Sequence, residues 1–309
     1  MEKRERIDRV NKWLGIFLMF VVTCAGCDNR SMPEPASENV PIRLVTEFPS
    51  AAQPTMRSDI SVFNGETVAF AIGDASGTYS EIWEARVTGK EAVLLEPHYY
   101  PKDGSYLYLR GYYPPVKPGI NGVAYRLDGS QDLLLSNEQS GSLTDMFWQE
   151  SKKFRFTHLL TRLGFRVRVT DDYPANACLL RLQIGGSHRN VLLDLNKGSL
   201  LPVGETGTFI VWEADGTGPL LSNNFPDTLT TSVMLEAGVP LTLAATVSLA
   251  DGTNLVYEDI PIHFEEPDSL SRAGTSYTVS VTLDMVKEKL SLSTSVDDWT
   301  EQEGGEVGL

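Results

Sequence analysis

The sequence predicts an all-β protein built of two β-sandwiches, and three observations carry that prediction. Period-two alternation recurs along the chain, most cleanly in Tyr277-Thr-Val279-Ser-Val281-Thr-Leu283, where apolar side chains fall on one face and small hydroxylated ones on the other. The apolar segments are short and are bounded by turn pairs such as Asn64-Gly65, Asp103-Gly104, Asn121-Gly122, Asp128-Gly129, Gly185-Gly186 and Asp251-Gly252. Helical periodicity is nearly absent, so packing sheet on sheet is the way to bury the apolar faces.

From the N-terminus, residues 1–26 read as an export signal. Lys3, Arg4, Arg6, Arg9 and Lys12 precede an apolar run over 13–22, shorter than the roughly 20 apolar residues a membrane span requires. Ala25 and Gly26 stand directly before Cys27 and resemble the lipobox cut by signal peptidase II, which makes Cys27 the expected site of lipidation. Cys24, standing where a lipobox usually has leucine, is the alternative. Residues 27–39 are polar, contain proline and show no periodicity, as in a tether.

Strands are expected over 42–48, 67–72, 106–112, 163–169, 178–184, 191–195, 208–212, 240–249, 255–262, 277–283 and 290–296. A single short helix is expected over 142–150. A boundary near residue 150 divides the rest into an N-terminal sandwich, 40–150, and a C-terminal sandwich, 151–309, each of ordinary domain size.

Composition narrows the function. The formal charge is −15, and loss of residues 1–26 removes five basic and three acidic side chains, leaving 21 basic against 38 acidic, or −17. No basic cluster survives to release counterions from phosphates, so a nucleic-acid partner is excluded; the acidity suits solubility. Beyond the export signal and Cys27 the only cysteine is Cys178, which precludes an internal disulfide and is expected to be a packed core thiol. His98, His158, His188 and His263 lie far apart, and no metal-ligand spacing, nucleophile elbow or phosphate loop is present. No metal, cofactor or catalytic residue is assigned. A glycosidase with paired carboxylates is the least favoured reading, because bare sandwiches rarely supply the required cleft.

Four segments carry a resemblance. His98-Tyr-Tyr-Pro101 is followed by Tyr106-Leu-Tyr-Leu109 and Gly111-Tyr-Tyr-Pro114; Gln131-Asp132-Leu133-Leu134 comes next; then Phe154-Arg-Phe156-Thr-His158-Leu-Leu160; and Val296-Asp-Asp298-Trp299 closes the series. Together, in this order, they resemble the fimbrillins, subunits of the type V pili of Bacteroidetes. The resemblance implies transthyretin-like sandwiches, outer-membrane anchoring through lipid on Cys27, and display on the cell surface in a pilus. It also implies removal of a first strand, 40–48, by an Arg-specific protease acting between Arg57 and Ser58, and filling of the vacated groove by the last strand of another pilin subunit. The donor positions would be Leu290, Leu292, Thr294 and Val296. Arg57 is equally one exposed loop arginine among several, and 290–296 equally an ordinary final strand.

Other readings stay open at this point. The chain could serve as a non-polymerising anchor or tip subunit, or as a monomeric lipoprotein that binds a host or bacterial glycan or protein. Tyr99, Tyr100, Tyr112 and Tyr113 would then stack on sugar, although tyrosine also packs well on half-buried strands. His158 reads as a satisfied core or rim histidine. Asp227-Thr228-Leu229 and Asp268-Ser269-Leu270 resemble the O-glycosylation signal of exported Bacteroidetes proteins, which marks Thr228 and Ser269.

Overall fold

The structure, a computed structural model, describes residues 39–49, 63–120, 122–215, 218–223, 228–264, 269–284, 289–297 and 299. Its strands belong to one compact unit, Val40–Leu309, and the fold is all-β as the alternation predicts.

The N-terminal strands are β1 (Leu44–Glu47), β2 (Thr67–Gly73), β3 (Glu81–Thr88), β4 (Glu91–Leu94), β5 (Leu107–Tyr113), β6 (Val123–Arg126), β7 (Leu134–Gly141) and β8 (Phe154–His158). All but β6 form a sheet in the order β1-β4-β3-β2-β5-β7-β8 that closes on itself. Closure is the work of β1, whose first half pairs antiparallel with β4 and whose second half pairs parallel with β8. Inside lies a core of Ile42, Leu44, Phe70, Leu109, Phe147, Phe154 and Phe156.

The remaining strands are β9 (Leu160–Val169), β10 (Cys178–Asp194), β11 (Ser199–Glu213), β12 (Thr228–Glu236), β13 (Leu241–Ser248), β14 (Asn254–Ile262), β15 (Ser276–Asp284) and β16 (Lys289–Asp297). They make two sheets, β12-β9-β15-β16 and β11-β10-β13-β14, and β6 joins the second by pairing with β10. Phe165, Leu179, Leu182, Phe209, Tyr277 and Val279 belong to the core they share. The period-two pattern places them: in β13, Leu241, Leu243, Ala245 and Val247 are buried and alternate with half-buried neighbours.

The structure corrects three local expectations. Gly185-Gly186 is not a turn between two strands; β10 runs on through an irregularity in its pairing. Gly186 has φ +96°, and a Cβ there would lie 2.2 Å from the Pro240 carbonyl oxygen, so only glycine lets the strands approach this closely. The helix expected over 142–150 is a tight turn closed between Ser142 and Asp145, with a 3-10 turn at Glu150–Lys152. Phe147 is fully buried there and its N–H donates to the Tyr100 hydroxyl at 2.7 Å, so a tertiary acceptor replaces the helical one. Cys178 is half-buried at the start of β10, not a core thiol.

Gly111 illustrates how tightly the first core is filled. An added Cβ would stand 2.5 Å from Phe156 Cζ and 3.0 Å from Phe70 Cε1. Gly111→Ala is therefore expected to cost about 1–3 kcal/mol by overpacking, read as a lower urea midpoint.

Candidate functional site

The first strand is integral to the first sheet and its core. Along residues 40–48 alternate side chains enter the first core: Ile42, Leu44 and Thr46 are buried, and Val40 and Phe48 pack against its margin. Phe48 stacks on Phe63 at 4.9 Å and on Phe156 at 4.5 Å. The main chain is held by Ile42 N–H to the His98 carbonyl (2.8 Å), Tyr100 N–H to that of Val40 (3.1 Å) and Thr46 N–H to that of Lys90 (2.8 Å). Outward, Arg43 pairs with Glu91 at 2.6 Å between exposed side chains, an interaction of small weight. Thr46 Oγ1 is buried without a hydrogen-bond partner. Taking this segment away would leave β4 and β8 with unpaired edges and an apolar groove between them, lined by Phe63, Phe70, Phe154 and Phe156. In the sequence Phe154 and Phe156 stand out only as part of a motif; the alternation Phe154-x-Phe156-x-His158, buried at each named position, is the signal that places them inside.

The last strand, β16, is an edge strand that pairs, among the described strands, with β15 alone. Of the four donor positions, Leu290 and Thr294 are buried, Leu292 is half-buried, and Val296 is 62% exposed. The inward alternation thus holds for three positions and fails at the fourth, Val296. Thr294 Oγ1 donates to the His263 carbonyl at 2.8 Å.

Three sequence segments singled out separately meet in space. His158, at the end of β8, is buried, and its Nδ1 lies 2.6 Å from Asp132 Oδ2. A carboxylate only accepts, so Nδ1 carries the proton. Trp299 stacks on the same imidazole at 4.0 Å. The segments around Asp132, His158 and Trp299 therefore form one junction that ties the end of β16 to the connection between β8 and β9.

The tyrosine candidates separate. Tyr100 is 3% exposed and stacks on Phe147; Tyr112 is fully buried and its hydroxyl donates to the Val116 carbonyl at 2.9 Å. Burial raises the Tyr100 pKa. Neither offers a face to a sugar, because both rings are buried in the core, Tyr112 from β5 and Tyr100 from the loop that precedes it. Tyr113 is half-buried beside Phe63, and Tyr99, at 45%, is exposed. Ser269 is exposed with φ +56°. Thr228 opens β12. Cys27, Arg57 and Ser58 lie outside the described residues.

No curated protein sequence matches the chain. Among solved structures, a candidate cell adhesion protein of Bacteroides ovatus is 13% identical, covering 86% of this chain and 99% of its own, with a TM-score of 0.55. One of Bacteroides uniformis is 18% identical over 86% and 100% at 0.52, and one of Parabacteroides distasonis 11% over 86% and 98% at 0.51. These likenesses speak for the fold. A family model described as fimbrillin-like matches residues 57–299, which is most of the sequence and includes all of the second core and the first core apart from Ile42 and Leu44, and the chain belongs to the fimbrillin-like family.

Proposed function

We propose that the protein is a non-catalytic structural subunit of a cell-surface pilus, assembled by strand exchange and contributing to adhesion. The observation that carries this reading is β1, a short strand that completes the first sheet by pairing with two different neighbours and fills its core from one side. On this reading the exported chain is held at the outer membrane by lipid on Cys27 until cleavage between Arg57 and Ser58 releases the segment containing β1. The emptied groove then takes β16 of another subunit, whose inward residues Leu290, Leu292 and Thr294 supply the alternation that β1 had provided. Main-chain hydrogen bonds to the two freed edges give affinity, and the alternating side chains give register. The same groove left occupied would make an anchor or tip subunit. Burial of Tyr100 and Tyr112 takes away two of the four tyrosines on which a glycan-binding lipoprotein would depend.

The test is the N-terminal sequence of the surface-exposed protein from its own cells, together with its mobility on an unheated gel. A start at Ser58 in a heat-labile ladder is the expected result. A lipidated Cys27 on a uniformly monomeric protein would remove the polymerising reading.

A further inference from the structure

A cleft of about 1030 Å³ opens between β3, the loop 114–120 and the turn between β10 and β11. Its walls are held in place before anything binds. The Pro114-Pro115-Val116-Lys117-Pro118 loop is pinned by two tyrosines, Tyr112 donating to the Val116 carbonyl (2.9 Å) and Tyr125 to that of Pro114 (2.8 Å). Arg110 Nη1 holds the turn by donating to the carbonyls of Leu195 (2.5 Å) and Asn196 (3.2 Å). A site whose walls are already ordered loses little entropy on binding, and its size suits a drug-sized molecule or a peptide of a few residues.

The chemistry of the lining narrows the occupant. Glu81, Glu84 and Glu96 are exposed on it, and none has an ion-pair partner among the described residues, while Lys117 is its only lysine there. Beside these carboxylates stand aliphatic side chains with no cover: Leu95 is 52% exposed, Val116 38%, and Ile120 is fully in solvent. Trp83, on the β3 wall and 7% exposed, leaves its buried indole N–H without an acceptor. An anion would be repelled. A sugar would need an open aromatic face, yet Trp83 and His98 stack on each other at 3.9 Å and each covers a face of the other. Unpaired carboxylates beside bare aliphatic surface complement a ligand that carries both positive charge and aliphatic groups.

We propose that this cleft binds an extended cationic peptide segment of a partner protein, its Lys or Arg side chains against Glu81, Glu84 and Glu96 and its aliphatic ones against Leu95, Val116 and Ile120. The inference is independent of assembly by strand exchange. It assigns the subunit a recognition surface beside β3, none of whose lining residues belongs to β1 or β16.

The test titrates the full mature chain with an acetylated hexapeptide of alternating leucine and lysine, and with its leucine–glutamate counterpart, by calorimetry and tryptophan fluorescence. Saturable binding of the lysine peptide alone is expected, about tenfold weaker in the E84Q/E96Q double variant and at high salt. Ile120→Ser, in solvent and without a structural role, should weaken it as well while leaving the thermal midpoint unchanged. Equal binding of both peptides, absence of saturable binding, or affinity untouched by these variants would overturn the proposal. So would maltohexaose displacing the lysine peptide, which would identify a saccharide site instead.

Discussion

A chain beginning at Ser58 should fail to persist as a stable monomer, and a synthetic peptide spanning residues 40–48, added in trans, should restore it. Residues 40–48 bury Ile42 and Leu44 and pack Phe48 between two phenylalanine rings. Each such side chain contributes about 1.5–3 kcal/mol, so their loss removes a large part of the 5–15 kcal/mol by which folded domains are typically stable. The truncated chain also exposes the edges of β4 and β8, which invite pairing with any complementary strand. Size-exclusion chromatography and urea unfolding would read the result: heat-labile oligomers without peptide, monomers of nearly full stability with it. A peptide with Leu44 replaced by Asp should fail, because it would carry an unpaired charge into a fully buried position. If the truncated chain were monomeric and as resistant to urea as the full chain, β1 would be dispensable and the strand-exchange reading would lose its basis.

The second large effect is expected at the junction of Asp132, His158 and Trp299. Asp132→Ala removes the acceptor of a buried imidazole N–H. A buried donor left without its acceptor costs about 1–3 kcal/mol, and a loss of that size is expected here. Asp132→Asn keeps an acceptor oxygen and should recover much of the loss. Trp299 covers the same ring, so the Asp132→Ala and Trp299→Ala changes should be non-additive in a double-mutant cycle. Urea midpoints for the four proteins suffice. Additive changes, each within about 0.5 kcal/mol as for ordinary surface sites, would show that the three residues do not act together.

Much of the fold was legible because strand alternation is local. The segments 163–169, 277–283 and 290–296 lie within strands β9, β15 and β16, since burying one face of a sheet demands the pattern directly. Strands rich in charge on the outer face were harder: β3, Glu-Ile-Trp-Glu-Ala-Arg-Val-Thr, buries Trp83, Ala85 and Val87 but contains few aliphatic residues to announce it. The 142–150 segment forms local turns, with Asp145 N–H donating to Ser142 and Gln149 N–H to Met146, but Phe147 N–H between them donates to Tyr100 and no helix is propagated.

The sequence by itself determined which side chains face inward along most strands, the β architecture of the described residues, and the net acidity. Only the tertiary structure decided that β1 is shared between β4 and β8, that Tyr100 and Tyr112 are core residues, that Asp132, His158 and Trp299 meet, and that a carboxylate-lined cleft opens beside β3. The reason is physical: period-two alternation fixes the direction of a side chain relative to its own strand. What that side chain meets depends on strand pairing between residues as far apart as Thr46 and Phe154, and no local pattern encodes it.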